Sequence, residues 1–197
     1  RGVAMHPEVD AAVEDIVNES RSIANDGATV TVNMDNVKVS DKIKKNITEE
    51  FKNICVMLRF NELGHDIFRR WYVDGRIYHH LVVNEANMKM GIQDIRPIDA
   101  TKIRKVKEIK KKKDPITGAE LIEKVDEHFI YQEKPGQTKQ GVKLTTDAVS
   151  YVTSGLLDQD RKRVISYLQK ALKPLNQLRM MEDSLVVYRL ARAPERR

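Results

Sequence analysis

Apolar residues change their spacing twice along this chain, and that double change is the strongest constraint on its fold. Val9, Val13, Ile16 and Val17 recur at helical spacing behind Pro7, a residue suited to a first helical position, so a helix is predicted over 7–18. Ile43, Ile47, Phe51, Ile54 and Leu58 repeat the pattern behind Ser40, whose hydroxyl can cap the start, with Asn61 and Gly64 in the expected end region. Between residues 67 and 153 the pattern is that of strands and turns, although Ile103, Val106 and Ile109 in the basic arm recur every third residue. From 160 to 193 it is helical again, with Ile165, Leu168, Leu172, Leu175 and Leu178 along one side and Leu185 continuing it. Asp158 or Asp160 could cap that run, and Pro174 is expected to kink it. Strands enclosed by helices argue an α+β fold: long helices packed around a small antiparallel β-subdomain. The division expected is 1–66 helical, 67–157 β and 158–197 helical.

Within the β part, Asp74-Gly75 is the pair favoured in two-residue type I′ turns, so Phe68–Val73 and Arg76–Val83 are expected to form a hairpin. That register sets Trp71 opposite Tyr78 and Tyr72 opposite Ile77. Lys102–Lys113 carries eight Lys or Arg against one Glu; it is expected to run to a turn at Asp114–Gly118 and return through Leu121, Val125, Phe129 and Tyr131. Pro135-Gly136 breaks the chain, and 142–153, rich in Thr and Val, is expected as a last strand. Val30, Val32 and Met34 alternate with polar residues as a half-buried strand would, after a turn at Asn25-Asp26-Gly27.

The 197 residues, 41% apolar and 32% charged, suit a packed domain with a large solvated surface. A formal charge of +6 permits acidic partners without demanding them. The single cysteine, Cys55, forbids an intrachain disulfide and fits a reducing compartment; beside an apolar stripe it reads as an inert thiol. No apolar run is long enough to span a bilayer, and the start shows no signal peptide. The chain begins at Arg1 and stops at Arg197 inside a helical pattern, which reads as a piece of a longer polypeptide.

Catalytic signatures are missing from the sequence. His79 and His80 are adjacent on a predicted strand, so they face opposite ways and cannot chelate one ion. With His6, His65 and His128 they read as surface or half-buried residues, and a metal-dependent nuclease lacks a converging ligand set. Gly118 and Gly155 are lone glycines rather than phosphate cradles. No cofactor or metal is expected, and no catalytic residue. Two groups remain. Lys110, Lys111, Lys112 and Lys113 could contact phosphate at a hairpin tip, which makes a basic nucleic-acid-binding module using the Lys102–Lys113 hairpin the alternative function. Arg179, Glu182, Asp183, Arg189 and Arg192 could pair between subunits, although Arg179 and Asp183 are also spaced to pair within their own helix.

Several unusual words then carry a resemblance: Met5–Asp10 with Asn18-Glu19, Arg69–Tyr78, Gly91–Asp99, Leu144–Val149 and, most specific, Met181–Arg197. In this order they resemble the portal vertex proteins of large contractile-tailed bacteriophages. The resemblance implies a structural subunit without enzymatic activity, which forms a dodecameric ring at one capsid vertex for DNA packaging and ejection. Implied partners are further copies of itself, major capsid and scaffold proteins, terminase, neck and tail proteins, and double-stranded DNA passing through the ring. The implied location is the virion, with assembly in the host cytoplasm. The region resembled is the peripheral wing, including a small SH3-like β-subdomain, with 158–197 leading toward the stem. Without the rest of the ring interface, this segment is expected to be monomeric or weakly associated.

Overall fold

The computed structural model describes residues 1–20, 30–84, 86–87, 90–113, 120–134 and 141–192. Among these are four α-helices and two three-stranded antiparallel sheets, a mixed α+β arrangement. After a 3-10 turn at Gly2–Met5 come α1 (Pro7–Ser20), α2 (Asp41–Met57) and α3 (Phe60–Asp74). Strands β1 (Arg76–Val83), β2 (Ile92–Ile98), β3 (Ile103–Lys113), β4 (Glu120–Tyr131), β5 (Val142–Leu144) and β6 (Val149–Thr153) follow, and α4 (Leu172–Arg192) comes last.

α1 forms where the sequence predicts it. Pro7 opens it, the His6 carbonyl accepts the Asp10 N–H at 2.8 Å, and Glu8 and Asp10 complement the positive end of the helix dipole. Val13 and Val17 are its buried face. Ser40 occupies the cap position of α2, but only its carbonyl is used; the hydroxyl makes no capping bond. The apolar stripe of α2 forms and stays open to solvent, with Ile43, Ile47 and Ile54 exposed and no residue of the helix buried.

Several expectations fail. The helix after Ser40 does not end near Asn61 or Gly64. It breaks at Arg59, which takes a left-handed conformation (φ 47°), closes α2 and offers its carbonyl to Glu62 and Leu63 of α3. Gly64 is buried within α3.

The hairpin over 67–83 is also wrong: Phe68–Val73 is helical, and Tyr78 and Ile77 pair with Tyr151 and Val152 of β6 instead of Trp71 and Tyr72. Gly75 does adopt φ 71°, but as the residue that terminates α3, its N–H donating to the Trp71 carbonyl at 2.9 Å. The strand over Val30–Met34 does not form. The strand over 142–153 is split into β5 and β6 by a 3-10 turn at Thr146–Ala148.

The last helix does not start near Asp158 or Asp160. Leu157 bridges Val164 instead, Ser166 caps a 3-10 turn at Tyr167–Ala171, and α4 begins at Leu172. Pro174 lies in the first turn of α4, where a missing N–H loses no helical bond, so it need not kink the helix. The predicted turns at 25–27, 114–118 and 135–136 lie outside the described residues.

β1 is the centre of one sheet, in the order β2-β1-β6, and β4 of the other, in the order β3-β4-β5. The sheets meet through three rings. Tyr78 and Tyr151 are direct cross-strand partners and stack at 4.8 Å. Phe129 of β4 meets both edge-on, at 6.0 and 5.9 Å. Each such pair adds about 0.5–1.5 kcal/mol beyond its burial. Ala100, Ile103 and Val149 complete the buried cluster. Two histidines expected at or near the surface are buried: His79 and His128. Burial pushes the His79 imidazole below its ordinary value.

Candidate assembly surfaces

Helix α4 is held at one end and bare along the rest. Leu175 is its only buried residue, and every residue from 176 to 192 is exposed. At 1.5 Å per residue that is about 25 Å of uncovered helix. Its apolar residues do not gather on one face. Leu185, Val186, Val187 and Tyr188 are consecutive and 53–65% exposed; at about 100° per residue they sweep most of the circumference. Leu190, Met180 and Met181 are more exposed still. A helix apolar on several sides is normally covered on several sides.

The predicted interface residues sit on this rod. Arg179, Glu182, Asp183, Arg189 and Arg192 are all exposed. The spacing of Arg179 and Asp183 allows a pair, yet the described residues show no ion pair between them. The Arg192 guanidinium lies 4.6 Å from the centre of the Tyr188 ring, a contact of the cation–π kind. Of the apolar residues between these charges, the helical stripe read from the sequence included Leu185 but not Val186, Val187, Tyr188 or Leu190. The signal available was the unbroken run Leu185–Tyr188, which no amphipathic period explains.

A dense junction fixes where the rod points. The Gly75 carbonyl accepts the Ser154 N–H at 2.8 Å, and the Ser154 hydroxyl donates to the Ile165 carbonyl at 2.7 Å. The Ser166 hydroxyl donates to the Tyr72 carbonyl at 3.2 Å and accepts from the Leu168 N–H at 3.1 Å. The Tyr167 hydroxyl donates to the Ser154 carbonyl at 3.1 Å, and its ring stacks on Tyr72 at 5.0 Å and leans on Trp71 at 5.4 Å. The end of α3, the start of β1, the end of β6 and the approach to α4 are therefore tied at one place. Backbone approach there is close enough to require glycine: a Cβ on Gly75 would lie 2.7 Å from the Ile165 carbonyl oxygen.

α1 is braced against α3 by charge. Asp10 and Glu14 of α1 are one turn apart and face His65 and Arg69 of α3, also one turn apart. The Arg69 guanidinium donates to Asp10 and, at 2.7 Å, to Glu14; His65 Nε2 is 2.9 Å from the second Glu14 oxygen. These bonds, that to Asp10 foremost, hold the Arg69 guanidinium above its usual range.

The basic hairpin forms as β3 and β4, and β5 pairs only with Phe129–Tyr131, so β3 and β4 continue beyond β5 as a two-stranded ribbon. Its charge is partly spent internally. Lys105 and Lys107 both bind Glu127, at 2.7 and 3.2 Å, and they hold its carboxyl below the usual range. Lys110 is exposed, while Lys111, Lys112 and Lys113 are placed by backbone pairing with Ile122, Leu121 and Glu120.

Among the described residues no three metal-ligating side chains come together, and no helix is long and apolar enough to cross a membrane.

Comparison with known proteins agrees with the resemblance. Residues 1–197 match the family model described as "Bacteriophage T4-like portal protein (Gp20)". The chain is similar to the portal protein of Vibrio phage KVP40, at 37% identity over 209 residues, covering 100% of this chain and 40% of that protein. It is similar also to the portal protein of Salmonella phage ViI, at 33% identity over 213 residues, covering 100% of this chain and 38% of that one. The chain thus spans about two fifths of the length of these curated relatives. It belongs to the T4-like portal protein family.

Proposed function

We propose that this chain is a structural part of a dodecameric phage portal ring at the capsid vertex, through which DNA is packaged and ejected. The chain makes and breaks no covalent bonds; terminase, capsid, scaffold and neck proteins dock on the complete ring. Residues 1–66, 67–157 and 158–197 act as the helical part of the wing, its β-subdomain and the passage toward the stem. α3 crosses the first of these divisions and ties the two parts together.

The observation that carries this reading is α4, seated at its start by the Ser166 junction and exposed at every residue from 176 to 192. Neighbouring copies around a ring would cover such a rod by heterologous, head-to-tail contact. Arg179, Glu182, Asp183, Arg189 and Arg192 then choose the register between copies, and the interleaved apolar residues supply the burial, about 1.5–3 kcal/mol for each large side chain enclosed. The test is ring formation by the full-length protein, read by sedimentation velocity and electron microscopy. Leu185→Asp, or Arg189→Glu with Arg192→Glu, should abolish or weaken twelve-subunit rings, while Lys110→Gln should leave them intact. Normal rings from the α4 variants would defeat the proposal.

The ribbon supports the second reading, a nucleic-acid-binding module, less well. Glu127 engages Lys105 and Lys107, which takes two of the eight cations of 102–113 away from phosphate contact. A steep fall of DNA affinity with salt, removed by changing Lys110–Lys113 to Gln, would favour it.

A further inference from the structure

A cleft of about 840 Å³ opens between the end of α3 and the β2-β1 face, and its lining is strongly basic. Six cationic side chains line it against three aspartates. Four of the six are already engaged. Arg1 forks between Asp74 and Asp99, each at 2.7 Å; Arg69 binds α1; Arg70 and Arg96 pair with Asp66 at 2.7 Å and Asp94 at 2.8 Å. Arg76 and Lys102 have no carboxylate partner among the described residues. The Nε–H of Arg76 is in addition buried without an acceptor there. That N–H is enclosed by protein, so a ligand in the cleft would be met by the terminal nitrogens of the guanidinium rather than by Nε.

Both free cations stand on pinned backbone. Arg76 follows directly on Gly75, at the junction that joins α3, β6 and the approach to α4. The Lys102 N–H donates to the Asp99 carbonyl at 2.9 Å, and its own carbonyl accepts the Gln132 N–H at 2.8 Å. A ligand therefore need not order this backbone, and the freedom it costs is that of the two side chains. The walls between them are aliphatic, from Val73, Ile77, Ile98 and Leu144.

We propose that this cleft docks an acidic peptide segment of a partner protein, with Arg76 and Lys102 receiving carboxylates and the aliphatic wall receiving the side chains beside them. A guanidinium fork matches a carboxylate in plane and in two bonds. Duplex DNA fits worse: its closely spaced phosphates offer nothing to the aliphatic wall, which the apolar side chains of a peptide can cover. The inference stands on the cleft alone and does not depend on ring formation.

Fluorescence anisotropy on the 197-residue chain tests it, with a labelled peptide alternating glutamate and leucine, its glutamine counterpart, and a duplex oligonucleotide. The glutamate peptide should bind, and the glutamine peptide should bind about tenfold more weakly or worse. Arg76→Gln with Lys102→Gln should lose a similar factor, and Lys110→Gln none. In the unsubstituted chain, the Arg76 Nε–H nuclear magnetic resonance signal should move as the peptide saturates; this reading needs no variant to fold. No binding up to millimolar peptide, equal affinity in the double variant, an unmoved Arg76 signal, or oligonucleotide binding through the same two residues would each overturn the proposal.

Discussion

Replacing Gly75 by alanine should unseat α4 from the body of the molecule, and its effect can be divided into two parts. Gly75 has φ 71°, which for alanine costs about 1–2 kcal/mol. The new Cβ would also lie 2.7 Å from the Ile165 carbonyl oxygen and 2.8 Å from Ser166 Cα. Both are backbone atoms that cannot swing aside, and forced overpacking of this kind adds about 1–3 kcal/mol. The sum is about 2–5 kcal/mol, or a fall in Tm of about 4–20 °C for a chain of this size.

Gly91 and Gly155 separate the two parts, because they have φ 72° and 77° and open space, with nothing within 4 Å of the place a Cβ would take. Alanine at either should cost only the backbone share, about 1–2 kcal/mol. Urea denaturation gives the free energies. The fluorescence of Trp71, the chain's one tryptophan, reports the junction itself, since its ring lies 5.4 Å from Tyr167. A Gly75→Ala loss no larger than that of Gly155→Ala would show that the close approach does not exist, and the account of how α4 is aimed would fail with it.

Three smaller effects follow from the same structure. Ser166→Ala removes both the cap of the Tyr167 turn and the bond to Tyr72, so it should cost about 1–2 kcal/mol in urea denaturation and alter Trp71 emission. Arg59→Gly relieves a left-handed arginine and should raise stability by about 0.5–1.5 kcal/mol; a loss would mean that the Arg59 side chain matters more than its backbone. Asp99 is held below the usual carboxylate range, first by the Arg1 guanidinium and then by the Thr101 N–H. A depressed folded-state pKa gives stability that is present above the unfolded value, about 3.9, and is lost as pH falls through the folded one. Stability should therefore decline more steeply in acid for the parent chain than for Asp99→Asn, and the two should converge at the lowest pH.

What the sequence disclosed and what it hid have physical causes. α1 was legible because Pro7, its first-turn acids and Val13 with Val17 all point the same way. The β3–β4 hairpin was legible because its arms flank strong turn residues. Asp74-Gly75 misled because a left-handed glycine serves equally in a type I′ turn and behind a helix. Phe68, Trp71, Tyr72 and Val73 have high strand propensity, which tertiary packing overrides. Phe68 stands three residues before Trp71 and four before Tyr72 and packs on both rings, which in turn meet Tyr167, a helical spacing present in the sequence all along.

β2 escaped because Pro97 argues against a strand; it is tolerated since β2 lies at the sheet edge. The predicted charges of α4 share one helix, but no ion pair joins them among the described residues. The basic cleft had no local signature, because Arg1, Arg76 and Lys102 are brought together only by the fold.

Backbone hydrogen exchange along 176–192 tests most directly whether this chain is a building block whose last helix is covered by its neighbours. In the isolated 197-residue chain those amides should exchange rapidly, and in rings of the full-length protein they should be strongly protected while the β1–β6 core changes little. Equal exchange of that helix in the two samples would contradict the account.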